Sequence, residues 1–136
     1  MLRKRIEDRV GTVEDLGLAT LLGYRLCFNK KSSSGSGKAN IMKDESSKVL
    51  GVIYRLSEGQ ASSLDSEEKR YHRENLKVEL CNKVVDAVAY VADADVINEN
   101  LLPTLEYRQY IIDGAKEHDL PPDYVKSLER TPLFVK

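Results

Sequence analysis

KVLGVIYRLSEGQASSLDSEEKRY, residues 48–71, changes character at Ser57. Before that serine, Val49, Leu50, Val52, Ile53, Tyr54 and Leu56 form a nearly continuous apolar run broken by Gly51, as expected of a central strand covered on both faces. After it, Ser57 and Gln60 have the spacing of a capping box, in which hydroxyl and amide satisfy the free backbone donors of a helix start. A short helix should therefore run from Ser57 towards Arg70.

Upstream, Leu2 and Ile6 stand four apart among charges, the pattern of a short amphipathic helix. Leu16 to Ala19, and then Tyr24, Leu26 and Phe28 alternating with Arg25 and Cys27, read as strands with one buried face. FNKKSSSGSGKANI (28–41) is a polar hairpin loop, with Gly35 and Gly37 relieving backbone strain and Lys38 solvated. Ala39 to Met42 reads as another strand and KDESSK (43–48) as a charged turn. Downstream, Leu76, Val78 and Leu80 alternate with polar residues, and Val84 to Ala92 is a second apolar run, the two pairing as a hairpin through CNK (81–83). Pro103 can open a helix carrying Tyr107, Tyr110, Ile111 and Gly114 at helical spacing, which Leu120, Pro121 and Pro122 stop; a last helix carries Tyr124 and Leu128. Strands, a short helix, strands and then helices make an α+β domain over residues 1–136, built on a small curved mixed sheet or closed β-barrel flanked by helices.

Composition narrows the function. The 136 residues fit one domain, and 21 basic against 22 acidic residues leave a net charge of −1. That balance gives no electrostatic footprint for nucleic acid or an anionic membrane, so a small-molecule partner is the natural one. Cys27 and Cys81 are isolated among apolar residues, as in a core kept in a reducing compartment, which makes a cytoplasmic location the default. MLRKRIEDR is too charged to begin a signal peptide, and LGLATLLGY is too short to span a bilayer. His72 and His118 have no second soft ligand nearby in sequence, so no metal is expected. The serine loop is not a nucleotide loop either: Gly37 and Lys38 fit that pattern, but Ser32 stands where its first glycine belongs and Ala39 where its magnesium-binding hydroxyl belongs.

Three stretches taken together, LLGYRLCFNKKSSSGSGKANI, KVLGVIYRLSEGQASSLDSEE and LEYRQYIIDGAKEHDLPPDY, resemble the γ-glutamylcyclotransferase superfamily in order and spacing, from Met1 to about Tyr124. The resemblance implies an enzyme that cleaves γ-glutamyl amides by cyclisation to 5-oxoproline and a free amine, using no metal, nucleotide or other cofactor. The family's catalytic glutamate lies three residues after a Leu-Asp pair. Leu64 and Asp65 place it on Glu68 and exclude Glu67. Lys69 stands where a glycine is common. Tyr71, Tyr90 and Tyr107 match tyrosines of the family's substrate pocket, whereas Tyr110 reads as packing. Relatives begin with a strand and a Tyr-Gly-Ser-Asn turn followed by Met. LRKRIEDR matches the helix after that turn, so Met1 is expected to be that methionine, in a chain without the strand and turn.

The chemistry asks little of the protein. The substrate's own α-amine attacks its γ-carbonyl, and a well-oriented intramolecular attack has an effective molarity of roughly 10⁵ M or more. One carboxyl can take a proton from the amine and return one to the leaving group. Residue type alone leaves each candidate open: SEEKR would read as a solvated helix end, and each tyrosine as a core aromatic. Two alternatives to the enzyme also stay open. One is an inactive relative that binds a small ligand or a protein; the other is a fragment that self-associates through an exposed sheet edge. The γ-glutamyl substrate's leaving amine, amino acid or otherwise, is not specified, and neither is the oligomeric state, a homodimer included.

Overall fold

The computed structural model describes residues 3–134, with side chains from Arg5 onward. Met1 and Leu2, which bear the readings of the chain start and of half the first apolar stripe, lie outside the described residues. Helix α1 (Arg3–Val10) leads into a long hairpin of β1 (Glu14–Lys31) and β2 (Gly37–Arg55). Helix α2 (Glu58–Glu67) and a second hairpin of β3 (Tyr71–Leu80) and β4 (Lys83–Ala92) follow. A short 3-10 turn at Ala94–Val96 then leads to α3 (Leu105–Glu117) and α4 (Pro122–Glu129). The four strands pair antiparallel throughout in the order β2-β1-β3-β4, giving an α+β architecture with a curved sheet flanked by helices. Among the described residues no helix is long and apolar enough to cross a membrane.

The first hairpin is longer than its sequence suggests. Leu16 to Ala19 and Tyr24 to Phe28 belong to one strand, and KDESSK is part of β2, not a turn. The breaks in the pattern are register shifts between Asp15 and Gly17, Leu22 and Tyr24, and Cys27 and Lys30; at the second, residues 44–47 of β2 stand outside the ladder opposite Gly23, with Asp44 bonded locally to Ser46 and Ser47. Gly23, at φ +80°, takes one of these shifts in a conformation that L side chains avoid.

The Val49–Leu56 run corrects a second expectation. Its strand lies at the edge of the sheet, not the centre. The run is apolar because successive residues face different clusters. Leu50 packs with Ile112, Ala115, Leu120, Val125 and Leu128 from the helices, whereas Val49 and Ile53 pack with Ala19, Leu21 and Val78 from the sheet. Period-two alternation between two apolar environments leaves no polar face to see.

Local signals elsewhere behave as chemistry requires. Ser57 Oγ accepts from Gln60 N at 3.1 Å, and Gln60 Oε1 accepts from Ser57 N at 3.0 Å, closing the capping box. Cys81 and Asn82 turn the second hairpin with φ of 52° and 64°, which leaves Cys81 exposed, not in the core; Cys27 is half-buried. Thr104, not Pro103, caps α3, its hydroxyl accepting from Tyr107 N at 3.1 Å, while Pro103 is fully buried behind it. Pro122 opens α4 as its first residue instead of merely ending α3. His118, at the end of α3, fastens that helix to the sheet: Nε2 lies 2.9 Å from Asp15 Oδ2 and 3.1 Å from the Tyr54 hydroxyl, and Nδ1 lies 3.0 Å from Gly114 O.

A buried amide pair ties the two ends of the sheet together. Asn40 Oδ1 accepts from Ala92 N at 2.9 Å, linking β2 to β4, and Asn40 Nδ2 donates to Asn29 Oδ1 at 3.0 Å. Asn29 Nδ2 donates in turn to Glu99 Oε1 at 2.9 Å. The orientations are mutually enforced, since Ala92 N can only donate and a carboxylate can only accept. Gly37 begins β2 where a Cβ would meet Phe28 O at 1.9 Å, so only glycine lets the returning strand come this close.

Candidate active site

Glu68 sits just past α2, with φ −91° and ψ 67°, and its N–H is held by Leu64 O at 3.0 Å. The chain reverses at Arg70, whose φ of +65° is a left-handed conformation uncommon outside glycine. Asp93 N donates to Arg70 O at 2.9 Å, and the Arg70 guanidinium pairs with Asp93 and Asp95, which fixes that turn. Tyr71 then opens β3, its N–H reaching Glu68 O at 3.3 Å. A tight turn thus sets the glutamate and the first tyrosine in a fixed relation.

Tyr71 and Tyr107 come from β3 and α3, and both reach Ala39 on the free edge of β2. Tyr71 donates its hydroxyl proton to Ala39 O at 2.7 Å, and the Tyr107 oxygen accepts from Ala39 N at 3.0 Å. An edge strand leaves such backbone groups without ladder partners, and here two phenols supply them. The consequence is chemical. Tyr71 keeps acceptor capacity, and Tyr107 keeps its O–H free to donate. Burial pushes both phenols above their usual range, so both stay protonated at neutral pH. Tyr107 also packs edge-on against Phe28, with centroids 6.2 Å apart.

Tyr90 is engaged differently. Its hydroxyl donates to Asp65, which also accepts two bonds from Arg73 at 2.7 and 2.6 Å. Burial, reinforced by the Asp65 carboxylate, pushes the Tyr90 phenol up to about 12, while Arg73 and then Tyr90 hold Asp65 below the usual carboxylate range. With its polar end occupied, Tyr90 contributes a ring as a wall.

Glu68, Tyr71, Tyr90 and Tyr107 line a single cleft of about 410 Å³. Glu67 lines it too. A larger cleft of about 520 Å³ adjoins it, sharing Ile6, Leu64 and Tyr90, but its walls are mostly aliphatic and its one lining carboxylate, Asp86, is paired with Lys77. The reading of the sequence missed the cations. Arg5, Arg9, Lys30, Lys38 and Lys69 also line the 410 Å³ cleft. Arg9 Nη1 donates to Glu68 Oε1 at 3.1 Å, Lys30 lies over the Tyr71 ring at 4.9 Å, Lys38 over Tyr107 at 4.1 Å, and Arg5 over Tyr110 at 4.2 Å. Lys38 is therefore half-buried, not solvated, and Tyr110 is part of the cleft, not packing alone. The Arg5 and Arg9 spacing on α1, one helical turn apart, was the available signal. No cluster of three or more metal-binding side chains occurs among the described residues.

Comparison with known proteins gives this geometry a context. The AIG2-like family model matches residues 48–128. γ-Glutamylcyclotransferase of Bos taurus is 25% identical over 135 residues, covering 94% of this chain and 72% of the relative. The Homo sapiens γ-glutamylcyclotransferase is 24% identical over 136 residues, covering 95% and 72%. A solved γ-glutamyl cyclotransferase superposes with a TM-score of 0.90 at 23% identity, over 99% of this chain and 84% of the other, and an uncharacterized Homo sapiens protein with 0.87 at 25%, over the same shares. The capped helix, the β3–β4 hairpin and the late helix that hold Glu68, Tyr71, Tyr90 and Tyr107 all fall inside the matched region, and the chain belongs to the AIG2-like family, within the γ-glutamylcyclotransferase superfamily that its motifs resemble.

Proposed function

We propose that the 410 Å³ cleft cleaves γ-glutamyl amides by cyclisation, with Glu68 carrying the proton. The observation that supports this is the convergence of the Glu68 carboxyl and the Tyr71 and Tyr107 phenols, from three different parts of the fold, on one cleft. In the reaction the substrate's α-nitrogen forms a bond to its γ-carbon, and the bond from that carbon to the leaving nitrogen breaks. The α-ammonium gives up two protons as it becomes the lactam N–H, and the leaving nitrogen gains two. Glu68 takes one from the attacking nitrogen and hands it to the departing one, while the second equilibrates with water. The free Tyr107 O–H is placed to donate to an oxygen that gains charge, and Tyr71 to accept from an N–H of the substrate. Tyr90 and Ile111 close the walls.

A second reading has its own support. Arg9 is paired with the carboxylate that the chemistry needs, at 3.1 Å, as in a ligand-binding module that has lost turnover. Incubation of the chain and its Glu68→Gln variant with γ-glutamyl amides separates the two. The enzyme releases 5-oxoproline and the variant does not, with folding unchanged. Binding without release from the unaltered chain would support the module instead.

A further inference from the structure

Helix α1 is held on α2 by Gln60, whose Nε2 donates to Val10 O at 3.1 Å and to Thr12 O at 2.8 Å. That docking brings Arg9 to the turn that carries Glu68. Arg9 Nη1 donates to Glu68 Oε1 at 3.1 Å, yet the side chains are 35% and 22% exposed, so the pair adds little stability. Each partner is also only half used. Among the described residues no acceptor meets the other N–H groups of the Arg9 guanidinium and no donor meets Glu68 Oε2, although both side chains line the cleft. Lys30, Lys38 and Arg5 are placed otherwise, over the rings of Tyr71, Tyr107 and Tyr110. A cation beside an anion, each with a free side, complements a ligand group in which an anion stands beside a cation. An α-amino-acid head is such a group, with ammonium and carboxylate on one carbon. A ligand whose ammonium meets Glu68 therefore brings its carboxylate to the cation that adjoins Glu68, which is Arg9.

We infer that Arg9 is a substrate-binding residue whose free guanidinium edge takes the α-carboxylate of the ligand, while Glu68 takes the α-ammonium on the same carbon. This rests on the proposed chemistry of the cleft, which puts the substrate's α-nitrogen at Glu68. The end of the substrate that faces Arg9 follows from that contact and not from the excess of positive charge around the cleft. Arginine suits the task, because its planar fork holds Glu68 with one N–H and a second carboxylate with two others. The consequence is selection at the acyl end. A 4-aminobutanoyl amide carries the same nucleophile and closes the same five-membered ring, but it has no α-carboxylate and leaves the free edge of Arg9 without a partner.

The test compares γ-glutamylalanine with 4-aminobutanoylalanine, which differs only in lacking the α-carboxylate, on the full chain and on its Arg9→Gln and Arg9→Lys variants. Turnover is read as kcat/KM for alanine release, and binding is read by calorimetry in the Glu68→Gln background. The unaltered chain should favour γ-glutamylalanine by about a hundredfold, the scale of a bidentate charge-assisted contact. Arg9→Gln should lose about that factor on γ-glutamylalanine, mostly in KM, and less than about threefold on 4-aminobutanoylalanine. Arg9→Lys, which keeps the charge but not the fork, should fall between. The melting temperature of Arg9→Gln should change little, since the pair it breaks is exposed. Equal losses on both conjugates, the mark of a residue that only supports Glu68 or the fold, would overturn the inference, as would an unchanged ratio. Arg9-dependent preference in binding with no alanine released from either conjugate would uphold the Arg9 contact and defeat the cyclotransferase reading. Release of alanine and 5-oxoproline with a preference indifferent to Arg9 would do the reverse.

Discussion

Replacing Asn40 by Ala tests how the sheet holds the site. Asn40 is 2% exposed and makes two strong amide contacts, accepting from Ala92 N at 2.9 Å and donating to Asn29 Oδ1 at 3.0 Å. The substitution leaves a buried backbone donor on β4 and a buried acceptor on Asn29 without partners. Each orphaned group costs about 2 kcal/mol, so the variant should lose roughly 4 kcal/mol. In urea, at about 2 kcal/mol per molar for a chain of this size, the unfolding midpoint should fall by about 2 M with its slope unchanged. Asn29→Ala removes one half of the same contact and should therefore cost at least about 1 kcal/mol less in the Asn40→Ala background than alone. Additive losses, or a loss below about 1 kcal/mol for Asn40→Ala, would refute the view that this pair joins β2 to β4. The site should report the damage as well. Ala39, the neighbouring residue, holds both tyrosine hydroxyls, so a folded Asn40→Ala protein should show a raised KM.

Three further outcomes follow from single contacts. Gly37→Ala places a Cβ 1.9 Å from Phe28 O, and since backbone must move to relieve it, a loss of about 3 kcal/mol or more should appear in thermal unfolding. Ser57→Ala removes the helix cap that Gln60 shares, for a loss of about 1 kcal/mol, while Glu58→Ala, at an exposed neighbouring position, should cost less and serve as the control. His72 is raised by its hydrogen bonds to Asp93 and then Glu74, so its contribution is fully present below the ordinary histidine value of about 6.5 and is lost as pH rises through its higher folded value. The melting-temperature gap between the protein and His72→Gln should accordingly be wider at pH 5.5 than at pH 9, and a gap independent of pH would contradict the pairing.

The legible parts of the fold were those with short-range causes. The capping box at Ser57 and Gln60, the two-residue turn at Cys81 and Asn82, and the alternation around Leu76 to Leu80 are each decided within a few residues. Misreadings came where a strand bends without ending, as in β1 and at KDESSK in β2, because register shifts break the polar-apolar alternation and residues 44–47 leave the ladder before pairing resumes on either side of them. The edge position of Val49–Leu56 was hidden for a different reason: both its faces meet apolar clusters, so an edge strand wrote the pattern of a central one. At the site, the resemblance placed Glu68 and three tyrosines, which the structure brings around one cleft. It gave no hint of the cations, because a lysine on a strand end looks the same whether its ammonium lies in water or over a phenol ring. Asn29 and Asn40 could have been suspected, since asparagine is depleted in strands and two of them flank the serine loop.

Product analysis of γ-glutamylalanine with the chain and with Glu68→Gln tests the central claim most directly, because cyclisation and hydrolysis leave different traces. The account predicts one 5-oxoproline for each alanine released, no free glutamate, and loss of at least about a hundredfold in rate in the variant, the usual scale for removing a general acid-base group. Free glutamate in place of 5-oxoproline, or undiminished release by Glu68→Gln, would contradict it.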